Sequence, residues 1–558
     1  MNQIVLDADR RLRGPYTLAG GMLHVLVPEA LARWPELVHS HDIEIRAAAP
    51  GLRELVPARR TSLADRVAQE ERILVPAPRR TLRLANGLAE FVRDHLARGG
   101  PLTVTVANAG EADATDIELL EVLRRRVPAE LLVVAEGPST PRDGTLPLDT
   151  DRYRNEGFHH AMAEAGGLLL PELAEDSEEW WTILHRTTTA LAALEREEEA
   201  RALLDHARRV SVTAKHRATC AYATAMLLVR HHDPAMRDPE EALAWINEAI
   251  TITDLLPDPR LRAFHLSFDL NGKALVQVRR GRFEEATELV ERAIELAERD
   301  LGAGEQPIHK LVLRANRALL RGTSTAALAD LDHTIAADPG YPDYYLDRGN
   351  LLVKLGRSQE ALADYERAMR VGPPFPEPYY NRAELRFAEG DLEGALADLD
   401  YAIELDPDFT DAYVNRAGLL VAMGEYGRAR ADAERDAANP YLLCALGQVE
   451  AAEGNPEEAY KAFGSALERD PSMVTALAAR GVLSYENGDL ASSVADLTRA
   501  IELKESAELR FNRSVALRAL GRLEEARADL VRARELAPGD EDVRRALAEQ
   551  GRAASGAG

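Results

Sequence analysis

The sequence predicts a mainly α-helical solenoid of helix hairpins, preceded by a small α/β domain. Three observations predict it. First, residues 341–440 hold three copies of one pattern, each with a mid-repeat glycine (Gly356, Gly390, Gly424) and an alanine five positions on (Ala361, Ala395, Ala429). Each copy closes on a proline, and such prolines recur at Pro339, Pro373, Pro407, Pro440, Pro471 and Pro538, with the first four spaced by 34, 34 and 33 residues. Second, every period contains two stretches of helical apolar spacing. Third, apolar β-branched runs before residue 136 alternate with amphipathic stretches, the pattern of a parallel sheet with helices packed on it.

A period near 34 with a helix pair per period resembles the tetratricopeptide repeat (TPR) family over residues 178–538. The resemblance implies about ten hairpins stacked as a right-handed superhelix, with the best copies at 341–440 and 474–538. The residue types fit for physical reasons. The glycines end the first helix and turn the chain. The alanines are small because two helices cross closely there. Tyr365, Leu399 and Leu530 fill the space between hairpins. One hairpin cannot bury its own apolar face, so stacking supplies the core.

Composition bounds the function. There are 93 acidic and 68 basic residues, a formal charge of −25. That excess disfavours nucleic acid and anionic membranes, which need a basic footprint. Cys220 and Cys444 stand far apart and form no CxxC or Cys/His cluster, so neither a zinc site nor a disulfide framework is expected. The start, MNQIVLDADRRLRG, lacks a basic stretch followed by an apolar one. No apolar run reaches the roughly 18–20 residues of a membrane span. The expectation is a cytoplasmic protein. Only six basic residues are lysine, and that arginine bias suggests a GC-rich bacterial genome.

Residues 1–136 read as the α/β domain. Ile4–Leu6, Leu102–Val106 and Leu131–Val134 are strand candidates. Thr81–Ala97 and Ile117–Arg126 read as helices. The run from Leu102 to Gly137 resembles the Walker B strand and following helix of STAND-type ATPases, which implies a degenerate ATPase-like domain. Ala107 and Asn108 stand where that family has its acidic pair. The nearest match to a phosphate loop, Gly14 to Gly21, lacks the lysine and the hydroxyl of GxxxxGK[ST]. No cofactor is expected, and a nucleotide-responsive STAND-like regulator is the alternative function. Residues 137–177, opening with GPSTPRDG, read as a linker with some order. Neither His159-His160 nor His231-His232-Asp233 is expected to hold a metal. Residues 539–558 read as a polar capping helix and a flexible tail.

Two ladders run along the repeats. An arginine early in each first helix recurs with an aspartate in the second: Arg348/Asp364, Arg382/Asp398, Arg416/Asp432, Arg480/Asp496 and Arg513/Asp529. The copy at 441–471 replaces both members together, by Leu446 and Ala462, as a contacting ion pair requires. The second ladder is an asparagine just before the arginine: Asn316, Asn381, Asn415 and Asn512, with Asn350 one turn on in the copy that has Asp347. An amide can donate and accept, which suits a peptide backbone. The TPR resemblance places this face on the concave groove. Some TPR modules clamp a C-terminal carboxylate there, but Asp343, Glu377 and Asp411 occupy the entrance in place of cations. The expected partner is therefore a protein or peptide of basic character, with Tyr344 and Tyr380 as aromatic anchors. Asn247, His265, Asp269, Asn271 and Lys273 form a candidate second surface. No nucleophile–base pair is legible, so the expected function is a non-enzymatic scaffold or adaptor.

Overall fold

The computed structural model describes residues 2–67, 79–140, 144–302 and 304–555. The chain divides into two compact units, residues 1–381 and 382–558.

The first unit opens with the α/β domain. Its strands are β1 (Asn2–Asp7), β2 (Leu102–Ala107) and β3 (Leu132–Glu136), and its helices are α1 (Thr17–Arg33), α2 (Pro35–Ser40), α3 (Asp42–Ala48), α4 (Arg80–Gly99) and α5 (Ala114–Arg126). The strands pair in parallel in the order β1-β2-β3, with Ile4 opposite Val104 and Val104 opposite Val134. Because side chains alternate across a strand, Leu6, Val104, Val106 and Leu132 share one face. They enter a core with Leu23, Leu88 and Leu119 of α1, α4 and α5. On the other face Val5 is 66% and Val133 40% exposed. Parallel sheets are usually covered on both faces, and among the described residues this one is packed on one. The apolar run Met22–Val27 lies inside α1.

The stretch 137–177 departs from the linker reading. Residues Thr150–Glu156 and His159–Leu169 form α6 and α7. Tyr153, Phe158 and Met162 lie in the sheet's own core, and Phe158 meets Tyr16 edge-on at 5.5 Å. The loop-like composition of GPSTPRDG hid the apolar residues that follow it. The same core takes in Ala190, Leu191 and Ala200 of the first hairpin, so the α/β domain and the first repeat are packed as one body.

Ten hairpins follow: α8–α9 (Glu178–Ala193, Glu197–Val210), α10–α11 (Ala214–Val229, Pro239–Thr253), α12–α13 (Pro259–Arg279, Phe283–Asp300), α14–α15 (Pro307–Arg321, Thr325–Ala337), α16–α17 (Pro342–Lys354, Ser358–Val371), α18–α19 (Glu377–Glu389, Leu392–Leu405), α20–α21 (Thr410–Ala422, Tyr426–Ala433), α22–α23 (Pro440–Ala452, Pro456–Arg469), α24–α25 (Val474–Glu486, Leu490–Leu503) and α26–α27 (Ala507–Ala519, Leu523–Leu536). The unit boundary falls inside α18. A last helix, α28 (Glu541–Ser555), runs further than the sequence suggested and takes in most of the expected tail; residues 556–558 lie outside the described residues. Gly356, Gly390 and Gly424 have φ of 72, 84 and 76°, the left-handed turn that only glycine adopts freely. Ala361, Ala395 and Ala429 are fully buried. Among the described residues no helix is long and apolar enough to cross a membrane.

Every predicted arginine–aspartate pair forms. Arg348 reaches Asp364 at 2.8 and 2.7 Å, and Arg382, Arg416, Arg480 and Arg513 repeat the two-pronged contact. The structure adds a third arm. Arg348 also donates to Asp332 at 2.7 Å and Arg416 to Asp400 at 2.6 Å, both on the preceding hairpin. One guanidinium therefore closes its own hairpin and fastens it to the one before. In the 441–471 copy, Leu446 packs on Ala417, Ala433 and Ala445 instead. Removing one partner leaves a buried charge alone, so Arg416→Ala should destabilise residues 382–558 by about 3 kcal/mol in urea unfolding. Arg416→Leu with Asp432→Ala, which copies the natural exception, should recover most of that loss.

Candidate functional site

In the first unit the asparagine ladder runs sideways, between hairpins. Asn381 Nδ2 donates to Asn350 Oδ1 at 2.7 Å, and Asn316 Nδ2 donates to Asn271 Oδ1 at 3.0 Å. Asn350 Oδ1 also accepts from Tyr365 Oη at 2.9 Å. Asn271, expected on a second surface, thus belongs to the ladder. In the second unit Asn415 Nδ2 donates to Glu384 Oε1 at 3.2 Å, and Asn512 is half-buried. Asn381, Asn316 and Asn415 each spend an amide donor on the neighbouring repeat, and Asn350 and Asn271 spend their oxygens as the acceptors. On the same set of first helices stand exposed apolar residues at matching repeat positions: Leu319 and Val353 in the first unit, Phe387 and Tyr485 in the second. Sequence reading missed this row, although the 34-residue spacing of Leu319, Val353 and Phe387 carries it.

Tyr344 is not an exposed anchor. It is buried in a cluster with Leu311, Ala315, Tyr345 and Phe375, and Leu63 of the α/β domain packs against that cluster. The aromatic spacing marked core. Tyr380 is half-buried.

The candidate second surface is dispersed. Asn247 is exposed on α11, and Lys273 is half-buried on α12. Asp269 faces inward, accepts from Thr253 Oγ1 at 2.7 Å, and is pushed up to about 7 by burial. Burial takes His265 down to about 4, helped by Lys215. Beside them Ser267 Oγ lies 2.8 Å from His309 Nε2, but both residues are sealed from solvent and Ser267 also donates to the Phe264 carbonyl. That pair is a core contact with no room for a substrate. At the second hairpin Glu197, His231 and His232 bring ligand-type atoms within 4.8 Å of one another. His232 Nδ1 sits 2.7 Å from Glu197 Oε1, and this hydrogen bond raises the imidazole's pKa and joins the loop to α9.

The α/β domain satisfies its own ligand-binding edge. A helix N-terminus offers free N–H groups and attracts anions such as phosphate. At the start of α1, Asp116 fills that position: its carboxylate accepts from Leu18 N–H at 2.8 Å and Ala19 N–H at 3.0 Å. Tyr16 N–H goes to Thr115 Oγ1. Asn108, at the end of β2, donates to Asp7 at 2.9 Å and accepts from Thr140 N–H at 2.6 Å, pinning two strand ends.

One feature no sequence motif announced is the contact of this domain with the repeats of its own unit. Arg60 reaches Asp42 and Glu44, both fully buried, and donates to the Gly372 carbonyl at 3.1 Å. Leu63 N–H donates to Asp338 Oδ1 at 2.9 Å. Arg83 lies 4.0 Å over the Phe375 ring and 3.6 and 3.9 Å from Asp343 and Glu377.

Comparison with known proteins agrees with the geometry. Residues 312–375, 444–506 and 485–541 match one tetratricopeptide-repeat family, and residues 386–431 match a second. These stretches are tetratricopeptide repeats, and repeats of this class support a protein-interaction scaffold. Similar solved structures include a tetratricopeptide repeat protein from Parabacteroides merdae (21% identity, 51% of this chain and 98% of that one, TM-score 0.34). They also include yeast Tom70 (15%, 72% and 91%, TM-score 0.39) and a TPR protein from Thermus thermophilus (26%, 38% and 98%, TM-score 0.26). No curated protein matches the chain.

Two measurements check the inward-facing acids. The folded pKa of Asp269 lies above its unfolded value near 4, so the folded state holds the extra proton. Its contribution therefore falls as pH rises from about 4 to 7. Asp269→Asn should remove that slope, a change on the order of 3 kcal/mol between unfolding free energies at pH 4 and pH 7.5. Because Asp116 occupies the anion position, titrating the chain with Mg–ATP should give no saturable heat.

Proposed function

We propose that the chain is a non-enzymatic scaffold, working in the cytosol, that holds a protein or peptide of basic character on the face of its first helices. One observation carries this reading. Exposed apolar side chains recur at one repeat position, Leu319 and Val353 in the first unit and Phe387 and Tyr485 in the second, on first helices that also carry polar amides and carboxylates, Asn381 and Glu384 among them. An extended peptide needs that combination: side-chain pockets for specificity and polar groups for its main chain. The net charge of −25 supports a basic partner, since like charges across an interface repel. Asp411 and Glu384 are exposed on the same helices.

The test is a pull-down from native cytosol with surface variants of each unit. Val353→Asp/Asn381→Ala alters the first unit's surface, and Phe387→Asp/Asn415→Ala the second's. The altered apolar positions are exposed and each asparagine removes one lateral hydrogen bond, so unfolding free energies should fall by no more than about 1–2 kcal/mol. A partner held by the parent and lost by at least one pair is the expected result. A partner held equally by all three proteins rules this surface out.

A further inference from the structure

The contact between the α/β domain and the repeats has the chemistry of a ligand seated on a receptor. The receptor side is built from the loops and first turns of the hairpins at 338–377. It offers Asp338, Asp343 and Glu377 around the Phe375 ring and the Tyr344 cluster. The ligand side is a short extended segment, Arg60 to Leu63, with Arg83 beside it. It supplies an aliphatic side chain, a backbone N–H and a guanidinium. We propose that this acidic, aromatic surface is a docking site for a polypeptide carrying an arginine close to a leucine-like residue, and that the α/β domain occupies it in cis as a built-in competitor. The proposal rests on the scaffold reading and names its partner's chemistry.

The repeats themselves mark the place. Asp408 and Ser472 follow the closing proline in two later copies, where this one has Gly340 and the last has Gly539. A Cβ on Gly340 would fall inside the Thr61 carbonyl oxygen, so the segment lies directly against the loop. Before the closing proline, Asp338, Asp406 and Asp470 recur, where the next copy has Gly372, and the Gly372 carbonyl receives Arg60. Gly340 and Gly372 both lie where the segment touches.

The fit is loose enough to exchange. Arg83 stands beyond hydrogen-bond distance from both carboxylates, and Asp343 Oδ2 is buried with no hydrogen-bond donor. A buried acceptor left unmade costs stability, and separation would return it to water. Asp347, one turn beyond Asp343 on α16, is pushed up to about 7 by burial and by Asp343. The surface is thus short of positive charge with its cis ligand in place, and a second arginine from a partner would improve on it.

The experiment uses the full chain and a fluorescein-labelled peptide of residues 58–67 as the probe. Leu63→Asp/Arg83→Glu alters the cis ligand and leaves the receptor residues intact. Both side chains point into the contact and out of the α/β core. The variant should bind the peptide at least tenfold more tightly than the parent, and a peptide with aspartate in place of Leu63 should not bind. Gly340→Ala is the second variant. It should raise hydrogen exchange in residues 58–67 yet gain no peptide binding, because its Cβ obstructs the same place. Unchanged exchange in Gly340→Ala, or equal peptide affinity in the parent and the double variant, overturns the proposal. If the opened chain ignores the peptide while the pull-down partner still depends on Phe387 and Asn415, this inference falls and the scaffold reading stands. If that dependence is absent too, both fall.

Discussion

The structure depends on one constraint: a helix hairpin has two apolar faces and can bury only one of them by itself. Each hairpin must therefore be held against the next, and the guanidinium with three arms does this at several joints. Arg348 closes on Asp364 and reaches back to Asp332; Arg416 closes on Asp432 and reaches back to Asp400. Arginine suits the role because its planar fork meets a carboxylate with two parallel bonds and still has a donor left. The asparagine ladder adds a second lateral link, from Asn381 to Asn350 and from Asn415 to Glu384. Polar side chains that look like a binding surface in sequence are thus partly devoted to holding the surface together.

The same constraint explains the front of the molecule. A first hairpin has no predecessor, and here the α/β domain takes that place, with Leu191 and Ala200 entering the core of the sheet. Helices α6 and α7 complete this join. The domain serves as a cap by burying the apolar end of the array, as terminal repeats must. A three-stranded sheet is small for an independent domain, and its continuity with the first hairpin supplies further apolar contacts.

The repeats were legible in the sequence because a period repeats its own evidence: glycine, alanine, proline and the arginine–aspartate pairs recur at fixed spacing, and the exception at Leu446 and Ala462 identified the contact. The strands were legible as β-branched runs. What escaped has a physical reason in each case. Tyr153 and Phe158 were masked by a neighbouring stretch of proline, glycine and aspartate. Tyr344 carries the same aromatic signal whether it faces a partner or a core. Arg83 and Asp343 lie far apart in the chain and obey no period, so nothing local announces their meeting. Gly340 and Gly372 were visible in the sequence, and they gain meaning only once the chain that presses on them is located.

Asp116 decides how the α/β domain can take part in function. A parallel sheet ordinarily offers its ligand site at the carboxyl ends of the strands, beside a helix N-terminus. Here that terminus is satisfied by a carboxylate from α5, and Asn108 ties the strand ends together. An anion arriving there would have to displace a buried side chain from two backbone donors. The groups the domain leaves available are of another kind. Arg60, Leu63 and Arg83 lie on the side turned to the repeats, and each contacts a residue of the hairpins at 308–377. Where this domain meets the hairpins at 308–377 it presents a peptide-like edge, and the chemistry of that edge matches the acidic surface it covers.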